Sequence, residues 1–345
     1  MKGLRNLGNT CYLNAVIQVL FNTPGFVSGL RSSLLQRGAL RRLVESLSKL
    51  SVEYEGPSIV GESLREFVSE FHECHREFGY GQHDPHEYMT FLLRALHDTL
   101  SVRKLVRLQT TAPLTPADEL ELLSIKGYIS ESMSLSSLLP IPIADGSVCY
   151  SSFVMELFSG QYRFETECQS CKYISTRFES FTTTEVPIGN VGRNVVTVGE
   201  ILTEMTGVTS LEDLYECDGC KHRTECKRRC TYWRLPRIMV LTLKRMIPDR
   251  DGRVVCAEPV LDMSGYLSAP RSQPHRYELY GVINHVGSSG HGHCYAEMRV
   301  PNPVTTSTSV AGSRVWMLAD DDLVSVPAPL DGGYSYILFY VAGGL

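Results

Sequence analysis

The stretch GLRNLGNTCYLNAVIQVLF, residues 3–21, runs from a glycine- and asparagine-rich turn into an apolar segment, with Cys11 at the junction. Residues 11–21 are predicted to form a buried helix, with Asn9 or Thr10 as N-cap. A cysteine at a helix start feels the positive end of the macrodipole, which favours the thiolate over a thiol of ordinary pKa about 8.5. Gly8 would let backbone approach a substrate carbonyl closely. Asn6 could donate its amide to a developing oxyanion. A thiol nucleophile also needs a base, which the fold and not sequence adjacency supplies. GHCYAE, residues 292–297, offers His293 near the other end of the chain; His285 and His291 lie close by, so the residues alone leave three candidates. WMLADDDLV, residues 316–324, offers Asp320 to orient the imidazole, with Asp321 as the alternative. Each has a plainer reading: Cys11 as a small core residue, the three aspartates as an acidic turn. Cys294 should face the opposite side of its strand from His293 and pack there.

The chain has 345 residues, 43% hydrophobic and 21% charged, enough for a sizeable core. Its net charge of -5 argues against nucleic-acid binding as the main activity, and the basic run KHRTECKRRC, 221–230, reads as a solvated face. The 11 cysteines are an odd number, and no secretory signal precedes them, since Asn9, Asn14 and Gln18 break the early apolar run. Reduced thiols and a cytoplasmic or nuclear setting are expected. No apolar run approaches the roughly 18 residues of a membrane span, so no membrane partner is expected.

Residues 61–74 place Leu64, Phe67, Val68 and Phe71 at helical spacing. A third helix is predicted over 85–100, with Asp84 as N-cap, Pro85 at N1, Glu87 at N3, and Tyr88, Phe91, Leu92, Ala95 and Leu96 as its buried stripe. Residues 101–150 read as a loop-rich insertion with a short helix near 116–124. Strands are expected at 153–167, 173–188, 231–247, 276–286, 293–300, 313–318 and 335–341, and 301–312 as a hairpin loop. Helices first and strands later indicate an α+β architecture.

Cys168 and Cys171 form one CxxC pair, Cys217 and Cys220 another. Two such knuckles supply four soft thiolates, the set that structural Zn2+ prefers, and the βαβ context of a redox CxxC is missing. Cys226 and Cys230 are spare.

Together these motifs resemble the ubiquitin-specific protease family, the papain-like cysteine deubiquitinases. GLRNLGNTCYLN is similar to the family's Cys box, GYGQHDPHEYMTFLL (79–93) to its QQDAxEF element and ELFSGQYRFETECQSC (156–171) to the entry of its zinc-bearing fingers. LEDLYECDGC (211–220) resembles the return knuckle, YWRLPRIMVLTLKRM (232–246) the strand leaving it, HVGSSGHGHCYAE (285–297) the His box and GGYSYILFYV (332–341) the closing strand. The resemblance implies one catalytic domain over 1–345: a helical thumb over about 1–150, zinc-bearing β fingers over about 151–235 and a β palm over about 236–345. It implies Cys11 as nucleophile, His293 as base, Asp320 as orienting acid and Asn6 as oxyanion donor. Asp84 would receive ubiquitin's basic tail, and Gln82 and Glu87 would support the cleft. Ubiquitin and ubiquitinated proteins are the implied partners of a monomeric thiol isopeptidase; the alternatives are an impaired ubiquitin-binding scaffold or a protease for a ubiquitin-like modifier. Cys294 stands where the family has tyrosine, Ala319 where it has an aromatic residue, Met246 where it has phenylalanine, and His83, Asp84 and Pro85 where it has Gln-Asp-Ala. None of these departures removes a reacting group.

Overall fold

A computed structural model describes residues 1–33, 40–56, 61–76, 78–79, 81–105, 116, 119–125, 148–189, 193–245, 251–269, 272–288, 291–301, 314–326 and 332–343. Helices dominate up to Leu100 and strands after Gly160, the order the α+β reading expected.

The Cys11–Asn22 helix is buried at every residue except Asn22. Its polar side chains are used rather than exposed. Asn14 Nδ2 donates to the Leu4 carbonyl at 3.1 Å, Gln18 Nε2 to the Lys2 carbonyl at 2.7 Å, and Tyr54 Oη to Gln18 Oε1 at 2.6 Å. The amides that interrupt the apolar run therefore stitch residues 2–5 onto the helix, satisfying backbone groups that would otherwise be buried unpaired. Around it pack helices Phe26–Ser32, Arg41–Glu55, Glu62–Cys74 and Pro85–Leu100, with Leu64, Phe67, Val68 and Phe71 buried as their spacing predicted.

An eight-stranded sheet carries the second half of the chain. Its main path runs Leu323–Ser325, Arg314–Asp320, His291–Pro301, Arg276–Ser288, Ser335–Ala342, Ile238–Lys244 and Thr184–Pro187. Alternation along the strands, interrupted by a bulge between Leu279 and Gly281, divides their side chains between two cores. Tyr280, Ile283, Ile337, Phe339, Ile238 and Val240 face the helices. Val282, Leu338, Tyr340, Met239, Leu241 and Leu243 face a second core that includes the Val198–Met205 helix. Gly281 sits where the Cys11–Asn22 helix crosses the sheet: a Cβ there would lie 2.9 Å from Val19 Cγ1. A separate four-stranded sheet, Ile174–Phe181, Gly160–Cys168, Cys226–Arg234 and Val208–Ser210, carries the first CxxC pair at its far end, and a two-stranded hairpin, Tyr215–Glu216 with Arg223–Thr224, carries the second in its turn.

Several boundaries differ from the sequence reading. Residues 153–158, expected as strand, form a helix, because Ser152 caps it by accepting from the Met155 N–H. The 173–188 strand is two, Ile174–Phe181 and Thr184–Pro187, and the 231–247 strand breaks at Leu235 and Pro236. Helices Phe26–Ser32, Arg41–Glu55 and Val198–Met205 were not anticipated, although Thr197 and Glu200 form a capping box at the last. Residues 119–125 are helical near the expected position, while the 301–312 loop lies outside the described residues except for Pro301. Among the described residues no helix is long and apolar enough to cross a membrane.

Candidate active site and cysteine cluster

Cys11 is the first residue of its helix, after Thr10 at the N-cap position. Thr10 does not cap with its side chain; its Oγ1 instead accepts from the Leu7 N–H at 2.9 Å, and Asn9 takes the left-handed conformation at φ 55°. The preceding turn is thus fixed by its own hydrogen bonds, and the thiol is presented at the helix end toward the sheet.

His293 lies on the strand His291–Pro301. That strand pairs with Arg276–Ser288 from His291 to Met298, but its pairing with Arg314–Asp320 begins only at Ala296 opposite Ala319. The ladder opens just before the catalytic candidates, and the nucleophile helix comes in at this opening. Asp320, one residue past the last ladder pair, reaches back so that its Oδ1 lies 2.5 Å from His293 Nε2. That contact leaves Nδ1 as the ring nitrogen that can address Cys11, whose thiolate the His293 ring favours. Burial pulls the His293 pKa down, but the Asp320 hydrogen bond and charge and the Cys11 thiolate outweigh it and hold the pKa above its ordinary value. His285 and His291 line the adjoining cavity.

The Cys11 pKa is lowered to about 6. The largest cause is a hydrogen bond from the Cys294 thiol, opposed by burial, with the Cys294 N–H and His293 adding to the lowering. Cys294 packs in the helix-facing core with Ala296, Met298 and Val300, the alternate residues of its strand, as expected. It is buried, as a packing residue would be, but both its N–H and its thiol address Cys11. Cys11 approaches along the open edge, where neighbours 293 and 294 are both within reach.

Asn6 is held at both ends of its amide. Its Oδ1 accepts from the Gly8 N–H at 3.0 Å and the Thr10 N–H at 3.2 Å, while Nδ2 donates to Asp321 Oδ2 at 2.9 Å. This fixes which way the amide points and leaves its second hydrogen for a ligand. Asp321, the alternative orienting acid, is committed to Asn6 and, through Oδ1 at 2.8 Å, to Asn14. Of the two, it is Asp320 that touches the imidazole.

Asp84 caps the Pro85–Leu100 helix as predicted, accepting from the His86 N–H at 2.7 Å and the Glu87 N–H at 3.2 Å. Its other oxygen accepts from Tyr336 Oη at 2.5 Å, a partner that no local pattern announces. Gln82 Oε1 accepts from the Gly292 N–H at 2.9 Å, tying the segment before this helix to the residue before His293. Cys11, Gln82, Asp84 and Tyr336 border a common cavity of about 300 Å³.

The four CxxC cysteines converge, with all four sulfurs within 4.8 Å of one another. The two knuckles are near copies. Cys171 N–H donates to Cys168 Sγ and Gly219 N–H to Cys217 Sγ, both at 3.3 Å. Lys172 and Lys221 follow at φ 62° and 59°. The spacing and the N–H···S bonds suit thiolates around one tetrahedral zinc. Cys226 packs against Cys168 and Cys217 without joining the set, and Cys230 lies apart from it.

The profile described as "Ubiquitin carboxyl-terminal hydrolase" matches residues 2–340. The chain belongs to this family. Ubiquitin carboxyl-terminal hydrolase 23 of Arabidopsis thaliana is 26% identical over 98% of this chain and 35% of its own length. Ubiquitin carboxyl-terminal hydrolase 2 of Homo sapiens is 28% identical over 99% of this chain and 55% of its own length. The chain thus spans about a third to about half of these relatives. In fold it resembles a solved SAGA DUB module bound to monoubiquitin, with TM-score 0.73 at 20% identity, covering 99% of this chain and 69% of that one. A related module bound to ubiquitin aldehyde gives 0.72 at 19%, with the same coverage. The helices through Leu100, the two-faced sheet and the cysteine-bearing sheet are the thumb, palm and fingers expected of the ubiquitin carboxyl-terminal hydrolase fold.

Proposed function

We propose that this chain is a thiol isopeptidase that hydrolyses the bond after the C-terminal glycine of ubiquitin. The observation that carries the reading is the line from Cys11 through His293 to Asp320, assembled from distant parts of the sequence, with Cys11 on the wall of the cavity.

In this mechanism the Cys11 thiolate attacks the glycine carbonyl. The second Asn6 amide hydrogen and helix-end N–H groups receive the oxyanion, in an orientation that Asp321 has already set. His293, with Nε2 held by Asp320, carries its proton on Nδ1 and delivers it to the departing amine. A water then enters, loses its proton to the same nitrogen and releases the acyl group, regenerating the thiol. Asp84 has little capacity left after its cap and Tyr336, so we assign it to shaping the tail channel, with Gln82 holding the Gly292 backbone beside it. Glu87, on the channel wall, offers a carboxylate to a basic tail.

Cys168, Cys171, Cys217 and Cys220 would hold one zinc, which when bound supplies a cross-link between the two knuckles and no chemistry at the thiol. Cytoplasmic or nuclear residence, action as a monomer and binding of ubiquitinated proteins complete the proposal, supported by the reduced thiols and by the ubiquitin bound in the similar solved modules.

The test is reaction with ubiquitin carrying a C-terminal thiol-reactive warhead, followed by mass mapping. A covalent adduct on Cys11 that is lost in Cys11→Ala is the expected result. Binding without an adduct would favour the scaffold reading; neither binding nor adduct would favour another modifier.

A further inference from the structure

His285 has no place in the line from Cys11 to Asp320, yet its ring is built into the wall beside it. Gly292, the residue before His293, has no room for a side chain: a Cβ there would lie 2.5 Å from His285 Nε2, 2.8 Å from its Cε1 and 2.6 Å from the Val286 carbonyl oxygen. The imidazole therefore rests directly on the Gly292 backbone. The same ring meets that of Tyr336, with centroids 6.1 Å apart and planes at 55°. Tyr336 Oη in turn donates to Asp84 Oδ2 at the start of the Pro85–Leu100 helix. His285 thus stands between the backbone that carries His293 and the ring that reaches Asp84. Its own backbone is fixed by the sheet, paired opposite Cys294 and donating its N–H to the Tyr334 carbonyl at 2.9 Å.

This part of the sheet needs outside support. His293 lies in the stretch that pairs with Arg276–Ser288 on one side but has not yet met Arg314–Asp320 on the other. A strand with one neighbour is held by half the usual ladder. The end of this hairpin also brings two glycines opposite each other, Gly287 at φ 130° and Gly292, so it has no side chains of its own to pack there. Two groups from elsewhere grip Gly292: Gln82, which accepts its N–H at 2.9 Å, and the His285 ring.

We propose, on the reading that Cys11 and His293 are nucleophile and base, that His285 is a positioning residue: its ring fixes the Gly292–His293 backbone and the Tyr336 ring by shape, and transfers no proton. Misplacing a reacting group by about 1 Å costs about 100-fold in rate. Without the ring, a void opens between Gly292 and Tyr336, and both the His293 imidazole and the Asp84 side of the cavity drift into it. Glutamine extends about as far as the imidazole and does not titrate near neutral pH, so it separates shape from acid–base chemistry.

The test is the pH profile of kcat and kcat/KM on a fluorogenic ubiquitin substrate for the wild type, His285→Ala and His285→Gln, each checked for folding by circular dichroism. His285→Ala should lower kcat about 10- to 100-fold. His285→Gln should recover most of that loss, and both variants should keep the two limbs of the wild-type profile. Wild-type kcat in His285→Ala, no recovery in His285→Gln, or a limb missing from both profiles would overturn the proposal, the last by making His285 an acid or base. If His285→Ala does not fold, His285→Gln decides: activity near wild type with both limbs supports the role, and a loss of about tenfold or more, or a lost limb, overturns it. A wild-type chain that neither hydrolyses the substrate nor forms the warhead adduct on Cys11 would defeat the function reading instead. Positioning would then be read from Cys11 alkylation by iodoacetamide, expected to slow in His285→Ala and to hold in His285→Gln; equal rates in all three would overturn it.

Discussion

Asn6 and Asp321 meet through a 2.9 Å hydrogen bond across 315 residues of sequence. Asp321 holds the left-handed conformation at φ 49°, which aims one carboxylate oxygen at Asn6 and the other at Asn14. The consecutive acids therefore divide two tasks, Asp320 orienting the imidazole and Asp321 orienting the amide.

Removing Asn6 in Asn6→Ala should lower kcat by about 100-fold, the usual size for one oxyanion donor, with little change in KM. Asp321→Ala should lower kcat by about 10- to 100-fold through the loosened amide. The double variant should be little worse than Asn6→Ala, because the two act as one unit. Steady-state kinetics on a fluorogenic ubiquitin substrate would check this, and fully additive losses would sink the coupling.

The thiolate should be the major form of Cys11 above about pH 6 and be lost as the pH falls through that value. The Cys11 pKa is depressed and the His293 pKa raised, so the thiolate–imidazolium pair occupies the window between them and titrates as a unit. Iodoacetamide alkylation of Cys11 should rise with a midpoint near 6. Cys294→Ala should move the midpoint upward by more than His293→Ala does, because the Cys294 thiol is the largest cause of the lowering. Equal midpoints in the wild type and Cys294→Ala would contradict the assignment.

Metal analysis of the freshly purified chain should find about one zinc per molecule. Cys168→Ser or Cys220→Ser should lose it and lower the Tm, since the ion links a turn of the four-stranded sheet to the turn of the separate hairpin between Glu216 and Arg223. A chelator should inactivate slowly, in step with loss of folded signal. Instantaneous inhibition with the fold intact would place the metal at the thiol instead.

Arg245 is 1% exposed, and its guanidinium donates to the carbonyls of Ser335 (2.6 Å), Asp251 (2.9 Å), Arg253 (2.7 Å) and Gly332 (2.7 Å). Arg245→Met would leave several buried acceptors without a donor, costing on the order of 3 kcal/mol or more. Urea unfolding should show this as a lower midpoint at unchanged slope; a loss below about 1 kcal/mol would count against the account.

The parts of the fold that were legible in the sequence are those with a repeating local cause. Leu64, Phe67, Val68 and Phe71 mark their helix by spacing, Asp84 and Pro85 mark another by its start, and the CxxC pairs mark the cysteine cluster by ligand geometry. The Phe153–Phe158 helix was hidden because Phe, Val and Leu in a short apolar run suit a strand equally well, and only the Ser152 cap separates the two. At the site, His293 and Asp320 could be named, but the contacts that tune them could not. Tyr336 with Asp84, Asp321 with Asn6, and Cys294 with Cys11 depend on where an incomplete strand ladder lets a helix in, which no local pattern encodes.

The N-terminal segment is seated against the far end of the chain: Leu4 N–H donates to the Asp321 carbonyl, and a Cβ on Gly3 would collide with the Asp322 carbonyl oxygen. During synthesis the aspartates that complete the surroundings of Cys11 follow it by some 300 residues, a delay of tens of seconds at ordinary translation rates. Throughout that interval the nascent chain holds a nucleophile with neither its base nor its amide clamp. The thiol can therefore meet its imidazole and its amide clamp only once residue 321 has been made, and the ribosome itself sets that delay.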